Sequence, residues 1–462
     1  MGLVSKPGER KRGERKEERG ERKEERGKRK EERGKRREER GERREERGER
    51  RGRGCYKDEP VITFSSRSFR LPGYFRETVF RSVTDQRNKN QHVSKEPLRQ
   101  DAVKVQTKRE GEGNNYLQGR GAQINTKNRF LKNEQTREHT EGIDDWEESD
   151  ARTVYMEQES KSIVNKVDSP DVGMGYSMNP YAGCEHGCIY CYARNVHEYW
   201  GYSAGLDFER KIIVKKNAPQ LLRKFLMNKN WDATPIMLSG NTDCYQPAEQ
   251  QYRLTRALLE VCNEFNQPVG ILTKNSWILK DKDLLQEMAK KQIVSAMVSI
   301  TSFNEDLRRV MEPRTTTALQ KLKVINELSK AGVRMGIMMG PMIPGLNEHE
   351  MQRIMKASRD NGATFTAYTF IRLNGAIKLL FHDWLYKNFP DRADKVWHLI
   401  EQSHDGKVND SRWGVRMRGE GSIAKLVADQ YKKYGKLYGM NAEEWSLNRS
   451  LFRRPGEQGR LF

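Results

Sequence analysis

Three of the six cysteines in this 462-residue chain, Cys184, Cys188 and Cys191, fall together in NPYAGCEHGCIYCYARN, residues 179–195. Thiolates this close can hold a metal, close a disulfide or carry redox chemistry. The CxxxCxxC spacing puts three ligands on one tight loop. A structural zinc site takes four protein ligands, often as paired CxxC units. No second pair occurs here, so zinc would have to recruit His186 or His197. Three thiolates instead leave one iron of a cubane [4Fe-4S] cluster without a protein ligand, free to bind a substrate or cofactor. Cys55, Cys244 and Cys262 are widely spread, which argues against a second cluster. Cys262 shares a helical apolar stripe with Leu254 and Leu258 and is expected in the core.

The elements that must position these residues begin near residue 172, where short apolar runs alternate with segments of helical spacing. The candidate strands are GMGYSMN, PIMLSG, PVGILT, VSAMVSIT, VRMGIMMG and ATFTAYTFI. Between them, Leu254, Leu258, Cys262 and Phe265, and again Leu319, Leu322, Ile325 and Leu328, recur at helical intervals. Six consecutive βα units imply an α/β fold with a parallel sheet and right-handed crossovers, opening flat or curling into a barrel. Polar and glycine-rich residues follow the strands: Cys184 after the first, Gly240 to Asp243 after the second, Lys274 after the third and PMIPGLN after the fifth. Strand C-termini are where such folds bind ligands, so the cysteine loop lies on the functional face.

The flanks read differently. Residues 13–54 repeat GERKEER-like heptads with no apolar position to bury and a glycine in every repeat, each costing a helix about 1 kcal/mol. Residues 1–54 are therefore expected to be a disordered charged tract. Residues 55–114 are polar and mostly irregular, and 115–171 form an extension expected to dock on the core at 172–375. Amphipathic helices such as AIKLLFHDWLYKNF and GSIAKLVADQYKKYGKLYG, with a loose tail, fill 376–462. The formal charge is +21, of which residues 1–54 hold about +9, so a basic surplus remains elsewhere and favours a polyanionic partner. No apolar run suits a membrane span or secretory signal, which points to the cytoplasm, where clustered cysteines serve as ligands or catalysts rather than disulfides.

The cysteine motif, with Tyr190 just before its third cysteine, resembles the signature of the radical S-adenosylmethionine (radical SAM) superfamily. That resemblance implies a partial TIM barrel of six βα units, a [4Fe-4S] cluster on Cys184, Cys188 and Cys191, and reductive cleavage of S-adenosyl-L-methionine. The product is a 5′-deoxyadenosyl radical that abstracts hydrogen from a substrate. A reducing flavodoxin or ferredoxin is implied as partner. More closely, NTDCYQPAE, ILTKNS, MEPR and PMIPGLN resemble the branch related to spore photoproduct lyase, the DNA repair photolyase-like proteins. Carried over by position, Lys274 and Ser299 would grip the cofactor's carboxylate, and Asn241 and Thr242 would face its amino group. Gly340 would border the adenosine, and Tyr190 and Gly240 would also flank the cofactor. A zwitterionic headgroup needs this mix of one cation and short polar groups, and glycine permits close backbone approach. One departure stands out: Gly240 occupies the position of the lyase's hydrogen-donating cysteine. Cys244 could take that role only if its loop turns it inward.

Two features bear on the substrate. SRWGVRMRGEG groups Arg412, Arg416 and Arg418 around Trp413, which suits an unpaired base with its phosphates, or equally a salt-bridged structural corner. The terminal QGRLF resembles the pentapeptide by which bacterial repair and replication enzymes dock on the sliding clamp, through Gln458, Leu461 and Phe462. Nucleic-acid repair or modification is the expected activity. The alternatives are the same radical chemistry on a peptide or small metabolite, and a zinc-stabilised nucleic-acid adaptor.

Overall fold

The computed structural model describes residues 116–131 and 152–456, all within one compact unit, residues 95–462. The charged repeat, Cys55 and the terminal QGRLF lie outside the described residues. Among the described residues are ten strands: β1 Val154–Gln158, β2 Val164–Lys166, β3 Tyr176–Met178, β4 Tyr181–Ala182, β5 Lys211–Lys215, β6 Ile236–Leu238, β7 Val269–Thr273, β8 Val294–Ser299, β9 Arg334–Met342 and β10 Phe365–Phe370. The helices begin with α1 Arg194–His197, α2 Leu206–Arg210, α3 Ala218–Leu226, α4 Glu249–Tyr252, α5 Leu254–Phe265 and α6 Lys282–Lys290. They continue with α7 Glu305–Met311, α8 Ala318–Lys330, α9 Met351–Asp360, α10 Ile377–Asn388, α11 Ala393–Gln402 and α12 Gly421–Leu437.

The main sheet runs β10-β9-β8-β7-β6-β3-β2. Its six strands from β3 to β10 pair in parallel, each with the next in sequence, while β2 pairs antiparallel to β3. All six apolar runs singled out in the sequence are these strands, and the order gives the partial (β/α)6 barrel, open between β2 and β10. A separate sheet, β1-β5-β4, flanks it.

Alternation along the strands separates two faces. Ile236, Val269, Ile271, Val294, Ala296, Val298, Met335, Ile337 and Met339 are buried under the helices. The residues between them, Met237, Leu272, Met297, Met338, Phe365 and Ala367, are only half-buried. One face is thus a packed core and the other keeps room for a ligand.

The helices anchor through expected stripes with one shift. Leu258, Cys262 and Phe265 of α5 are fully buried. On α8 the buried side runs through Ala318, Lys321, Val324, Ile325 and Leu328, whereas Leu319 is 64% exposed. The apolar spacing is displaced because Lys321 turns inward to pair with Glu312, and Leu319 is left on the outside. The α7 start is fixed by Asn304, whose side-chain oxygen accepts from the amides of Asp306 and Leu307 at 3.0 Å each.

Candidate functional site

The cysteine loop follows β4 and ends in α1. Cys184 and Cys188 are buried and Cys191 half-buried. The loop is pinned by backbone bonds: Cys184 N to Phe208 O at 2.9 Å, Ile189 N to Met311 O at 3.0 Å and Cys191 N to Cys188 O at 3.3 Å. Its main organiser is Arg194, which is completely buried. Arg194 donates to the carbonyls of Gly187 (3.1 Å), Cys188 (3.0 Å), Ala204 (3.2 Å) and Gly205 (3.0 Å), and to Glu209 Oε1 (2.5 Å). A planar guanidinium can satisfy this many carbonyls at once, which an ammonium cannot.

Glu209 in turn holds the segment GRGAQINTKNRF against the back of the loop. Its carboxylate accepts from the amides of Gly121 (3.1 Å) and Ala122 (2.8 Å). Arg120 Nη1 donates to Glu209 O at 2.7 Å, and Arg314 Nε donates to Gly119 O at 3.1 Å. Only glycine fits at two crossings. A Cβ on Gly121 would stand 1.8 Å from Gly187 O, and one on Gly205 would stand 2.0 Å from Ile124 O. Residues 116–131 form a strap across the cysteine loop's outer side.

On the inner side, Asp243 ties the loop to the ends of β6 and β7. Its Oδ2 lies 3.4 Å from His186 Nδ1 and accepts from Lys274 N at 2.8 Å, while Oδ1 accepts from Thr273 Oγ1 (2.8 Å) and Tyr245 N (2.9 Å). Burial alone would raise this carboxyl, but His186 and the two amides outweigh it and hold Asp243 at about 2. His186, with Nε2 3.2 Å from Asn275 Nδ2, is a fixed spacer rather than a free ligand. His197 is buried below, between Tyr202 and Phe208, with neither ring nitrogen hydrogen-bonded to a described residue.

Glu312, from MEPR, is fully buried beside the cysteines. It accepts from the Tyr190 hydroxyl and pairs with Lys321 at 3.4 Å. Burial pushes its carboxyl up, but Lys321 and Lys274 pull it further down, to about 2. Burial likewise opposes the charged form of Lys274, yet Cys188, Glu312, Asp243 and Cys191 hold its pKa above the ordinary value. The Lys274 ammonium therefore stands among the thiols.

Register then assembles the rest. Thr273 pairs with Val298, so the next residues, Lys274 and Ser299, are neighbours, and Ser299 pairs onward with Met338. Ser299 is 1% exposed and its hydroxyl has no partner among the described residues. A Cβ on Gly340 would meet Thr369 Oγ1 at 2.6 Å. Asn241 is fixed by its amide on Asn179 Oδ1 at 2.8 Å, and its side chain bonds no described residue. Thr242 is different: its hydroxyl is spent on Tyr181 O at 2.7 Å, so it shapes the loop. Gly240 O accepts from the exposed Tyr192 hydroxyl, and a Cβ there would meet Ser177 Cβ at 2.6 Å. Ser177 thus fills the space a side chain at 240 would take.

Cys244 is fully buried in the hydrophobic core, with its amide on Ser239 Oγ at 2.7 Å. Its loop turns it into packed apolar side chains, not onto the half-buried face. The arginine group is largely a salt-bridged corner. Arg412 pairs with Asp410 (2.5 Å) and Glu420 (2.7 Å), and Arg416 pairs with Asp171 (2.5 Å). Arg418 stacks on Tyr368 at 4.3 Å with Nη1 on Tyr368 O at 3.2 Å. Trp413 remains 54% exposed, with the Arg416 guanidinium 3.7 Å over its ring.

Comparison with known proteins fits this geometry. Residues 178–357 match the family model described as the radical SAM superfamily. Over 245 residues the chain is 32% identical to an uncharacterised protein of Mycobacterium tuberculosis, covering 52% of this chain and 72% of that protein. The chain belongs to the radical SAM superfamily. A radical SAM Nalpha-GlyT isomerase of Pseudomonas phage M6 is 24% identical over 263 residues, covering 56% of this chain and 52% of that one. Spore photoproduct lyase complexed with dinucleoside spore photoproduct is similar over 62% of this chain and 80% of that one, with 16% identity and a TM-score of 0.46.

A radical SAM enzyme requires an iron–sulfur cluster and S-adenosylmethionine, and the residues present fit both. Burial is the largest influence raising the Cys184 thiol, followed by Asp243 and the other two cysteines. Cys188 and Cys191 are also pushed up, chiefly by burial. Such a set ionises only beside a compensating cation. Among the described residues no group of three His, Cys, Asp or Glu is arranged for a single metal ion. The unpaired Ser299 hydroxyl beside Lys274 supplies the donors a carboxylate needs.

Arg194, Glu209, Asp243, Glu312 and the strap were not identified as site residues from sequence. Asp243 and Glu312 lie inside motifs singled out there, NTDCYQPAE and MEPR, but only the folded contacts reveal their roles.

Proposed function

We propose that this radical SAM enzyme carries a [4Fe-4S] cluster on Cys184, Cys188 and Cys191 and uses it to repair or modify a nucleotide in nucleic acid. When bound and reduced, the cluster supplies the electron that cleaves S-adenosylmethionine and yields the 5′-deoxyadenosyl radical. Lys274, kept protonated by its acidic neighbours, and the Ser299 hydroxyl receive the methionine carboxylate. Asn241 takes the amino group, and the adenosine lies along β9 at Gly340, where a missing side chain lets the ligand approach the backbone. The half-buried Leu272, Met297 and Met338 line the face where hydrogen is abstracted and keep bulk water from it. The observation that carries the cofactor reading is the orphaned Ser299 hydroxyl placed by register beside Lys274.

The nucleic-acid reading is supported by the basic surplus outside residues 1–54 and by the exposed Trp413 ring under Arg416. Gly240, backed by Ser177, leaves no hydrogen-donating cysteine in that loop, so the reaction need not be that of spore photoproduct lyase. A flavodoxin or ferredoxin is the electron donor proposed. Anaerobic reconstitution should give iron- and sulfide-loaded protein that forms 5′-deoxyadenosine on reduction, with turnover altered by single-stranded or ultraviolet-damaged DNA, or by RNA. Absence of 5′-deoxyadenosine overturns the enzyme reading. Turnover and binding both indifferent to every nucleic acid overturn the substrate reading.

A further inference from the structure

Just past β10, on the ligand-binding end of the sheet, lies IRLNG, residues 371–375. Arg372 within it is half-buried, and among the described residues it has no ion pair or hydrogen bond; its Nε is buried without a partner. The charges that act on it are Arg416 and Asp171. Asp171 attracts it without bonding it: Oδ1 accepts from Gly414 N at 2.7 Å and Oδ2 from Arg416 Nε at 2.5 Å. Two guanidinium groups thus share one carboxylate whose oxygens face the other arginine's loop. Burial, then Arg416, lowers the Arg372 pKa, against the pull of Asp171. One carboxylate for two guanidinium groups leaves a positive excess, and a fork of donors matches phosphate.

Two further orphans lie on the segment that holds Arg372 and on the one paired with it. Leu373 N donates to Val408 O at 2.9 Å, which lays residues 408–410 along 371–374. Asn374 Oδ1 and Asn409 Oδ1, one on each segment, are both buried without a partner in the described residues. Buried polar groups are rarely left unpaired, since each such group costs about 1–3 kcal/mol. Three on adjoining loops form a set waiting for donors and an anion. The loops are fixed to the cysteine loop's exit: Asn195, four residues past Cys191, donates from Nδ2 to Asn374 O at 2.9 Å and accepts from Ala376 N at 3.0 Å. The exposed Trp413 ring lies in the loop that Arg416 ties to Asp171.

We propose that Arg372, Asn374 and Asn409 form a nucleotide subsite, in which Arg372 takes a backbone phosphate and the two asparagines take donors of the attached base. This rests on the nucleic-acid reading above and gives it a location. The site takes one unpaired nucleotide rather than a duplex, because its acceptors lie in loops at the end of a sheet, with an exposed aromatic ring in the loop of Arg416. A free phosphate would satisfy Arg372 but not the asparagines.

The test uses the full-length, cluster-loaded protein and fluorescence anisotropy with a labelled single-stranded 12-mer, its abasic counterpart, and inorganic phosphate as competitor, each across a salt series. Arg372→Gln should raise Kd for both oligonucleotides by about 5- to 10-fold and reduce the salt slope by about 0.7, the loss of one phosphate contact. Arg372→Lys should keep the slope and recover part of the affinity. Asn374→Ala with Asn409→Ala should weaken the base-bearing strand and leave the abasic one unchanged. Unfolding midpoints by circular dichroism exclude misfolded variants. If the wild type binds neither oligonucleotide, the nucleic-acid reading and this subsite both fall. If it binds and Arg372→Gln binds equally with the same slope, the subsite alone falls. Equal competition of wild-type binding by micromolar phosphate would reduce the site to a simple anion site and overturn the nucleotide assignment.

Discussion

Gly121→Ala is expected to loosen the cysteine loop from a position that touches no ligand. The added Cβ would stand 1.8 Å from Gly187 O and 3.0 Å from its carbonyl carbon, where ordinary contact begins at 3.4 Å. Strap and loop must therefore part by about 1.6 Å, more than close-packed interiors absorb by small adjustments. Such a shift removes the bonds from the Gly121 amide (3.1 Å) and the Ala122 amide (2.8 Å) to the Glu209 carboxylate. Hydrogen bonds to a charged group contribute about 1.5–3 kcal/mol each, so the loss is about 3 kcal/mol after partial relaxation. Glu209 then keeps Arg194 as its main partner, and Arg194 holds the carbonyls of Gly187 and Cys188 less firmly. Urea unfolding and iron content after anaerobic reconstitution check this, with Gly173→Ala as the control, since a Cβ at 173 meets nothing within 4 Å. A Gly121→Ala protein that unfolds at the control's urea concentration and retains as much iron would refute the strap's role.

Ser299→Ala removes a hydroxyl with no partner, so the cofactor-free protein should keep its stability or gain up to about 1 kcal/mol. Its affinity for S-adenosylmethionine, measured by calorimetry on the reconstituted protein, should fall about 10-fold. A loss of cofactor-free stability would show that the hydroxyl is already bonded inside the protein. His197 gives a pH dependence. Burial, opposed by Asp207, lowers its pKa from the usual 6.5 to about 4, so the fold favours the neutral ring. Its contribution is complete above pH 6.5 and is lost as pH falls through 6.5 toward 4, up to about 3 kcal/mol. His197→Leu should flatten stability across that window in urea titrations, and an unchanged slope would assign the acid sensitivity elsewhere.

The scaffold was legible because its signals are local. Each of the six strands announces itself as a short apolar run, and the cysteine spacing alone limits the ligands to three. What stayed hidden depends on partners remote in sequence. Lys321 reads as a surface lysine until Glu312, nine residues before it, is seen to draw it inward and displace Leu319. Arg194 sits in the quoted motif, yet its role depends on carbonyls at 187, 188, 204 and 205 that any residues could supply. The strap is written mostly in backbone amides and two absent side chains, which leave no periodicity. Conversely, Arg412 and Arg416 advertise a free basic patch, but Asp171, Asp410 and Glu420 neutralise them. Arg372, isolated in an apolar stretch, gives no cluster to notice.

The charge balance of the site explains why the substrate's anionic part should be held at a distance. Lys274 and Lys321 are matched by Asp243 and Glu312, both held ionised near pH 2 and above. Three thiolates add negative charge to this neutral set, and the inorganic sulfides of a bound cluster offset much of the positive charge its irons bring. A phosphate brought against the cysteines would be repelled in a low-dielectric setting where charges act strongly. The half-buried face above them is accordingly lined by Leu272, Met297 and Met338, suited to an uncharged ring. The Arg372 guanidinium, which shares Asp171 with Arg416, lies beyond β10 on a segment joined to the cysteine loop through Asn195. A nucleic acid would meet both requirements in one molecule, an uncharged reacting base over the methionines and the phosphate of a neighbouring nucleotide on Arg372.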